Sequence, residues 1–543
     1  MNTKTYRSSP VSNETSKTRA PKAAWCVAAV LLLLVAGNVI AAQSVPVTAT
    51  PEARATTPAK PNPLLDADAV WVGKVQIAEN PDSFLDCSVK FAGSLAERAG
   101  TISIPAQNAK DLKLMRLSVH DKGMAFTLLP PGAPEATAAV FALTTNENDR
   151  TFASGTMTQN GRAFPITLQL LPEGQQADIG PKRPQTPKAP LPYRTSEVTI
   201  TSGEGDAAAK LTGTLVLPDE AKFPPPYPAV VFITGSGPQD RDETLFDHKP
   251  FAVLADALAK AGIASLRTDD RGVGGSTSPK ASSGPGSDTT DDFAADALAN
   301  VAFCAQDKNI DANRIGLLGH SEGALVAAIA AASAPKAVGF IVMMAGQGTN
   351  GGEVLKQQTR ALAMAGGAPM EYVKTVSALH AELVALISGK DEAKIREAMD
   401  ALALAQMGIK SLEDLRLKQR ESLVAMLDQQ TKAMLSPWMQ RWIVLEPTEY
   451  FAKLSCPVMV LQGGIDRQVV AEDNLPPTVA ALARAGNTDV TVRLIPGLNH
   501  LLQKATTGVP AEYASIEQTM DERAIDAVVT WVGRVGSAGR AGK

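Results

Sequence analysis

The residues best placed to do chemistry lie in Gly319-His320-Ser321-Glu322-Gly323. The apolar run Arg314-Ile315-Gly316-Leu317-Leu318 comes just before, and a helix-like run from Ala324 to Ala332 comes just after. A serine with glycines two residues to either side, at a strand-to-helix junction, is the pattern of a nucleophile held on a sharp turn. The turn brings neighbouring backbone too close for side chains at the two outer positions, which glycine relieves. The amide of Glu322 then points at the oxygen that gains charge when the hydroxyl attacks a carbonyl. The implied chemistry is acyl transfer.

An alkyl hydroxyl is a poor nucleophile without a general base, usually a histidine oriented by a carboxylate. The chain has five histidines: His120, His248, His320, His380 and His500. His120 precedes the region of alternating strands and helices. His320 adjoins the serine, so the turn is expected to point its side chain away. His380 falls in a helical stretch. His248 follows an early strand and stays open as a candidate. His500 follows the alternating strand Val490 to Ile495 and the turn Pro496-Gly497-Leu498-Asn499, and is the preferred base. The acid is sought between serine and histidine. Pro457-Val458-Met459-Val460-Leu461-Gln462 reads as a strand, and Gly463-Gly464-Ile465-Asp466 follows it. Asp466 is therefore the preferred acid. Glu472 and Asp473 are rivals, although Asp473 reads as the cap of a helix starting near Asn474.

A second oxyanion donor is expected after another strand. Ala229-Val230-Val231-Phe232-Ile233-Thr234 is apolar and β-rich, and Gly235-Ser236-Gly237-Pro238-Gln239-Asp240-Arg241-Asp242 follows it. Small residues let backbone approach a reacting carbonyl. The amide of Ser236 or Gly237 is the candidate, since Pro238 has no amide hydrogen. Arg267, Asp269, Asp270 and Arg271 form a dense charge cluster after a further strand. It reads as a structural network in which the two acids neutralise the two arginines; carboxylate binding by an arginine is the other reading. Gly272 to Gly275 lacks the ending of a phosphate loop.

Together these segments, with Arg267 to Ser276, Ser436-Pro437-Trp438 and Leu498-Asn499-His500-Leu501, resemble the α/β-hydrolase superfamily. Within it they look like bacterial secreted esterases and serine aminopeptidase-like proteins related to dienelactone hydrolases. The resemblance covers about residues 193–535. It implies an α/β fold with a mostly parallel sheet, and hydrolysis through Ser321, Asp466 and His500 by way of an acyl-enzyme, without implying a particular substrate; a carboxylic ester is the preferred reading. The chain order serine, aspartate, histidine is the one that fold uses. No metal or organic cofactor is implied. The partner is a small-molecule ester; an exopeptidase or amidase would use the same triad, because one fold hosts many activities. A non-catalytic envelope- or polysaccharide-binding protein is the rival of a different class. One departure is Gly464-Ile465 before Asp466, where relatives often carry a charged residue.

The rest of the chain bounds these readings. At 543 residues, two folded units are expected. A net charge of −4, with no basic stripe interleaved with aromatics, disfavours nucleic acid. Lys4, Arg7, Lys17, Arg19 and Lys22 precede an apolar run from Ala23 to Ala42 that ends in small residues. Residues 1–42 thus read as a signal peptide, or as an uncleaved anchor tethering the protein to a membrane. Either exports the remainder to the periplasm, the medium or the outer face of the membrane. Cys26 lies in this leader; Cys87, Cys304 and Cys456 show no metal-binding spacing. Cys304 and Cys456 sit among apolar residues and read as core.

Residues 43–63 form a tether rich in proline, alanine and threonine. Residues 64–172 carry period-two runs, including Val70 to Val75, Thr101 to Ile104 and Phe164 to Leu170, and read as a small antiparallel β domain. Residues 173–192 read as a second, proline-rich linker. From 193 to 535 strands alternate with helices, as in a sheet wrapped on both faces, and 536–543 form a tail. Residues 347–451 break the alternation with helical stretches that suit a lid. Met364, Met370, Met426, Met434 and Met439 suit an adaptable apolar pocket, though helix packing explains any one of them. Trp438 and Trp442, four apart, are expected on one helix face, as pocket wall or as core.

Overall fold

A computed structural model of the chain describes residues 69–537, except 77–83, 94–97, 106–108, 121, 130–137, 146–148, 160–161, 173, 176, 178, 181, 285 and 416. The leader expected at 1–42 and the tether at 43–63 lie outside the described residues.

Eight short strands open the described chain: β1 (Val70–Gln76), β2 (Phe84–Ala92), β3 (Ala99–Ile104), β4 (Ala109–His120), β5 (Gly123–Leu128), β6 (Ala139–Thr145), β7 (Phe152–Gln159) and β8 (Arg162–Leu170). Each runs antiparallel to the next, and β8 returns to β1 with Trp71 opposite Leu170. The antiparallel domain is thus a closed barrel, which leaves no open sheet edge. Period-two alternation sends one set of side chains inward. Trp71, Ile102, Leu168 and the stacked pair Phe126 and Phe141, 4.6 Å apart, fill its interior.

The segment read as a second linker is bonded to residues much further along the chain. Arg183 donates to the carbonyls of Phe246 (2.8 Å), Ala514 (2.9 Å) and Ile516 (2.6 Å). Gln185 accepts from the amides of Thr519 and Met520 and donates to the Met520 carbonyl at 2.8 Å.

The larger unit is built on an eight-stranded sheet: β9 (Arg194–Ser202), β10 (Ala209–Leu217), β11 (Tyr227–Ile233), β12 (Ala264–Thr268), β13 (Ile310–His320), β14 (Phe340–Met344), β15 (Val458–Gly463) and β16 (Val490–Ile495). Its order is β16-β15-β14-β13-β11-β12-β10-β9. Pairings from β12 through β16 are parallel, while β10 is antiparallel to both its neighbours, so the sheet is mixed. The central strands are apolar on both faces, as strands covered twice must be. Val231, Leu317, Ile341 and Met343 point to one side, where α2 (Thr290–Gln306) and α3 (Glu322–Ser333) pack. Val230, Leu318, Phe340 and Val342 point to the other, against α1 (Pro250–Lys260) and α11 (Glu522–Ser537), which supplies Val528 and Trp531. Burying each such side chain contributes about 1.5–3 kcal/mol. Cys87, Cys304 and Cys456 are free thiols, all buried.

Between β14 and β15 lies a helical insertion: α4 (Gly351–Ala365), α5 (Met370–Gly389), α6 (Glu392–Met407), α7 (Leu417–Met434), α8 (Pro437–Trp442) and α9 (Pro447–Phe451). It has its own core around Leu383, Ile387, Ile395, Leu402 and Leu427. Met434 and Met439 belong to that core and Met426 packs on it, whereas Met364 and Met370 are 53% and 58% exposed. The five methionines therefore do not line one pocket. Trp438 and Trp442 do share a face: their rings stack at 5.5 Å and 9° within the insertion core. After β15, α10 runs from Ala471 to Arg484. Asp473 sits inside its first turn, not at its cap, and pairs with Arg360 at 2.5 Å. The helix begins earlier than expected because Val470 supplies the extended residue before it.

Candidate active site

The ends of β13, β11, β15 and β16 converge on one edge of the sheet, where parallel α/β folds place their sites. Ser321 joins β13 to α3 with φ 55° and ψ −120°, a region L-residues avoid and one that stores strain at functional positions. Its amide donates to the Met344 carbonyl of β14 at 2.9 Å. The two glycines of the motif are sterically required. A Cβ at Gly319 would lie 2.0 Å from the Gly323 carbonyl, and one at Gly323 would lie 2.3 Å from the Ile233 carbonyl. The elbow therefore presses directly on the end of β11. The loop after β11 is as close: a Cβ at Gly235 would lie 3.3 Å from that of Ser321.

Asp466 follows β15 and His500 follows β16. His500 Nδ1 lies 2.8 Å from Asp466 Oδ2, and both residues are buried. The same carboxylate accepts from Gln462 Nε2 (2.9 Å), the Gln468 amide (2.8 Å) and the Val469 amide (2.9 Å). Four donors on two oxygens fix its orientation. With Nδ1 turned to Asp466, the imidazole presents Nε2 on its other side.

The loop after β11 is pinned from several directions. The Gly235 amide donates to Glu243 Oε1 at 2.7 Å. Asp270 accepts from Thr234 Oγ1 (2.7 Å) and the Gln239 amide (2.9 Å), and burial pushes its carboxyl well above the usual range. Ser236 and Gly237 follow Gly235 directly, Gly237 at φ 90°. Glu322, whose amide opens α3, turns its carboxylate into a buried cluster. It accepts from Thr290 Oγ1 (2.7 Å), from Trp438 Nε1 (3.0 and 3.1 Å) and from the Ser236 hydroxyl. Burial raises its pKa against those three donors. Trp442 Nε1 donates to Gln347 Oε1 at 2.9 Å, just beyond β14. The stacked indoles thus tie the insertion to two sides of the elbow.

The other histidines divide. His248 is fully buried, with ring nitrogens 3.0 Å from Thr519 Oγ1 and 3.0 Å from the Tyr513 carbonyl; burial pulls its pKa down to about 4. His380 bonds Thr359 inside the insertion, and His120 is exposed on the barrel. His320 behaves differently from a side chain merely turned aside. Its ring lies 4.8 Å from that of His500, with Nδ1 2.9 Å from Glu243 Oε1 and Nε2 3.0 Å from the His500 carbonyl. Sequence spacing misses this pair: Glu243 falls one residue past the small-residue loop, and nothing local marks it as His320's partner.

The charge cluster is structural, though not in the pairing expected. Arg267 pairs with Asp242, and Arg271 grips Asp296 with two nitrogens at 2.7 and 2.6 Å. Asp269 instead holds Arg241, at 3.1 and 2.9 Å.

Residues 228–504 match the sequence family described as alpha/beta hydrolase fold, and the chain belongs to that family. The resemblance read from the sequence is borne out. Esterase EstD of Thermotoga maritima is 25% identical over 323 residues, 59% of this chain and 65% of that protein; the match spans less than two-thirds of the relative. Among solved structures, similarity extends to an esterase of Pyrococcus furiosus (14% identity, 66% of this chain, 98% of that one, TM-score 0.36). It also extends to proline iminopeptidase of Mycobacterium smegmatis (14%, 63% and 99%, TM-score 0.39) and dienelactone hydrolase of Anabaena variabilis (13%, 64% and 99%, TM-score 0.33).

Proposed function

We propose that the protein is an exported serine hydrolase that cleaves carboxylic esters. The observation that carries this is the Asp466–His500 pair, 2.8 Å apart, on loops beside the strained Ser321. The esterase name of the Thermotoga relative supports the ester as substrate class. His500 Nε2 takes the Ser321 proton as Oγ attacks the ester carbonyl. Asp466 holds the imidazole in the tautomer with hydrogen on Nδ1 and stabilises the imidazolium. The amides of Glu322 and of Ser236 or Gly237 receive the developing oxyanion. The intermediate collapses, the C–O bond to the alcohol breaks, and His500 returns its proton to the departing oxygen. Water, activated by the same imidazole, then releases the acid and regenerates Ser321.

In this reading the insertion α4–α9 is a lid, because Trp438 and Trp442 hang it from Glu322 and Gln347 beside the elbow. Export rests on the basic-then-apolar leader at residues 1–42. The test is hydrolysis of p-nitrophenyl acetate with fluorophosphonate labelling. Ser321→Ala is expected to lose labelling and to lower kcat by about 10³-fold or more. Full activity in Ser321→Ala sinks the proposal.

A further inference from the structure

A second carboxylate–imidazole pair lies beside the first and takes no part in the hydrolytic steps. His320 and Glu243 are both buried, at 5% exposure each. The partners of His320 fix its protons. The His500 carbonyl can only accept, so Nε2 carries a hydrogen. Nδ1 faces Glu243 Oε1, an oxygen that already accepts from the Gly235 amide. The remaining proton of the pair lies between Nδ1 and that oxygen. Burial pulls His320 toward the neutral form, but the charge and hydrogen bond of Glu243, with the His500 carbonyl, outweigh it and the pKa is raised.

The bonds of this pair reach three segments. Glu243 holds Gly235, from which the loop bearing Ser236 and Gly237 departs. His320 is the residue before Ser321 and so belongs to the elbow. Its Nε2 holds the backbone of His500. We propose that the His320–Glu243 ion pair is a positioning device that sets base, nucleophile and oxyanion loop relative to one another. This rests on the reading of Ser321, Asp466 and His500 as the triad. Neither residue exchanges a proton with substrate; both act through the groups they hold.

The experiment compares full-length wild type, Ser321→Ala, His320→Gln and Glu243→Gln on p-nitrophenyl acetate across pH, with thermal melts as the check on folding. His320→Gln is expected to lower kcat about 10²-fold, the penalty for a catalytic geometry displaced by ångströms, with KM within about threefold of wild type. A purely structural residue would not separate kcat from KM in this way. Glu243→Gln, which keeps an accepting oxygen for Gly235, is expected to lower kcat similarly, again with KM little changed. In parallel, wild type labelled with 15N-histidine is expected to show one ring that stays doubly protonated to a higher pH than an ordinary imidazole and is absent from the His320→Gln spectrum. A folded His320→Gln with kcat within twofold of wild type overturns the proposal. So does a His320 ring that loses its second proton no later than an ordinary imidazole, which needs no variant activity to read. If Ser321→Ala stays active, the triad reading itself has failed; if Ser321→Ala is dead and His320→Gln is fully active, only the positioning role has.

Discussion

Ser321 keeps φ 55° and ψ −120° because its surroundings leave no alternative. Such a conformation costs on the order of 1–3 kcal/mol, and the contacts of Gly319 and Gly323 with opposing carbonyls show what enforces it. Gly323→Ala places a methyl 2.3 Å from the Ile233 carbonyl, so α3 has to move off β11. Destabilisation of about 1–3 kcal/mol is expected from this overpacking, read by urea titration, together with a fall in kcat larger than the change in KM. Retention of wild-type kcat would contradict a tight elbow. At this scale the sequence was legible where a residue's chemistry and its local spacing coincide: Ser321, Asp466 and His500 each follow a recognisable strand. It was illegible where two buried groups meet from distant segments. His320 and Glu243 are 77 residues apart, and neither spacing nor composition encodes that contact.

The strands of the sheet were legible because apolar runs of β-branched residues bounded by glycine and proline admit few other readings. Val490–Ile495 is a strand with the bounds its alternation predicts. The barrel was legible as alternation but not as closure, since closure depends on β8 finding β1, a pairing without a local signal. The insertion was legible as helix only. Trp438 and Trp442 were on one face, as spacing four requires, yet their partners Glu322 and Gln347 lie on other elements. Trp438→Phe keeps the ring stacked on Trp442 and removes the only N–H that this side chain offers to the Glu322 carboxylate. Glu322 keeps Thr290 and Ser236 as donors, so the loss is that of one buried hydrogen bond, about 0.5–1.5 kcal/mol. The expected outcome is faster proteolysis within residues 351–451 and a changed KM for bulky esters, with kcat on p-nitrophenyl acetate less affected. Proteolysis at the wild-type rate would show that the indole does not fasten the insertion.

For the whole molecule, the buried histidines set the response to acid. Burial pulls His248 and His380 down to about 4, below their ordinary value of about 6.5. As pH falls through that window the unfolded chain takes up protons that the folded chain refuses, and stability is lost. The full effect approaches about 3 kcal/mol per histidine at pH 4. His320 has the opposite sign: its pKa is raised, so its contribution is complete below the ordinary value and is lost only as pH rises through the folded one. The contribution of His320 is constant below its ordinary value, so the two losses predict a urea midpoint that drops between pH 6.5 and 4, and a shallower drop in His380→Asn. A midpoint flat over that range would contradict burial of neutral rings. Composition indicated two folded units, and the barrel and the larger unit are both present, but the strip between them did not read as structural. Arg183 and Gln185 are polar residues in a proline-rich stretch, and their partners between Ala514 and Met520 lie more than 300 positions away. That strip decides how the chain can be divided. A fragment beginning at Tyr193, the apparent border, would strand the carbonyls of Ala514 and Ile516 and the amides of Thr519 and Met520 on the side of the molecule that carries His500. A fragment that keeps Lys182 to Pro192 retains their partners, so the self-sufficient hydrolase piece starts some ten residues before its first strand.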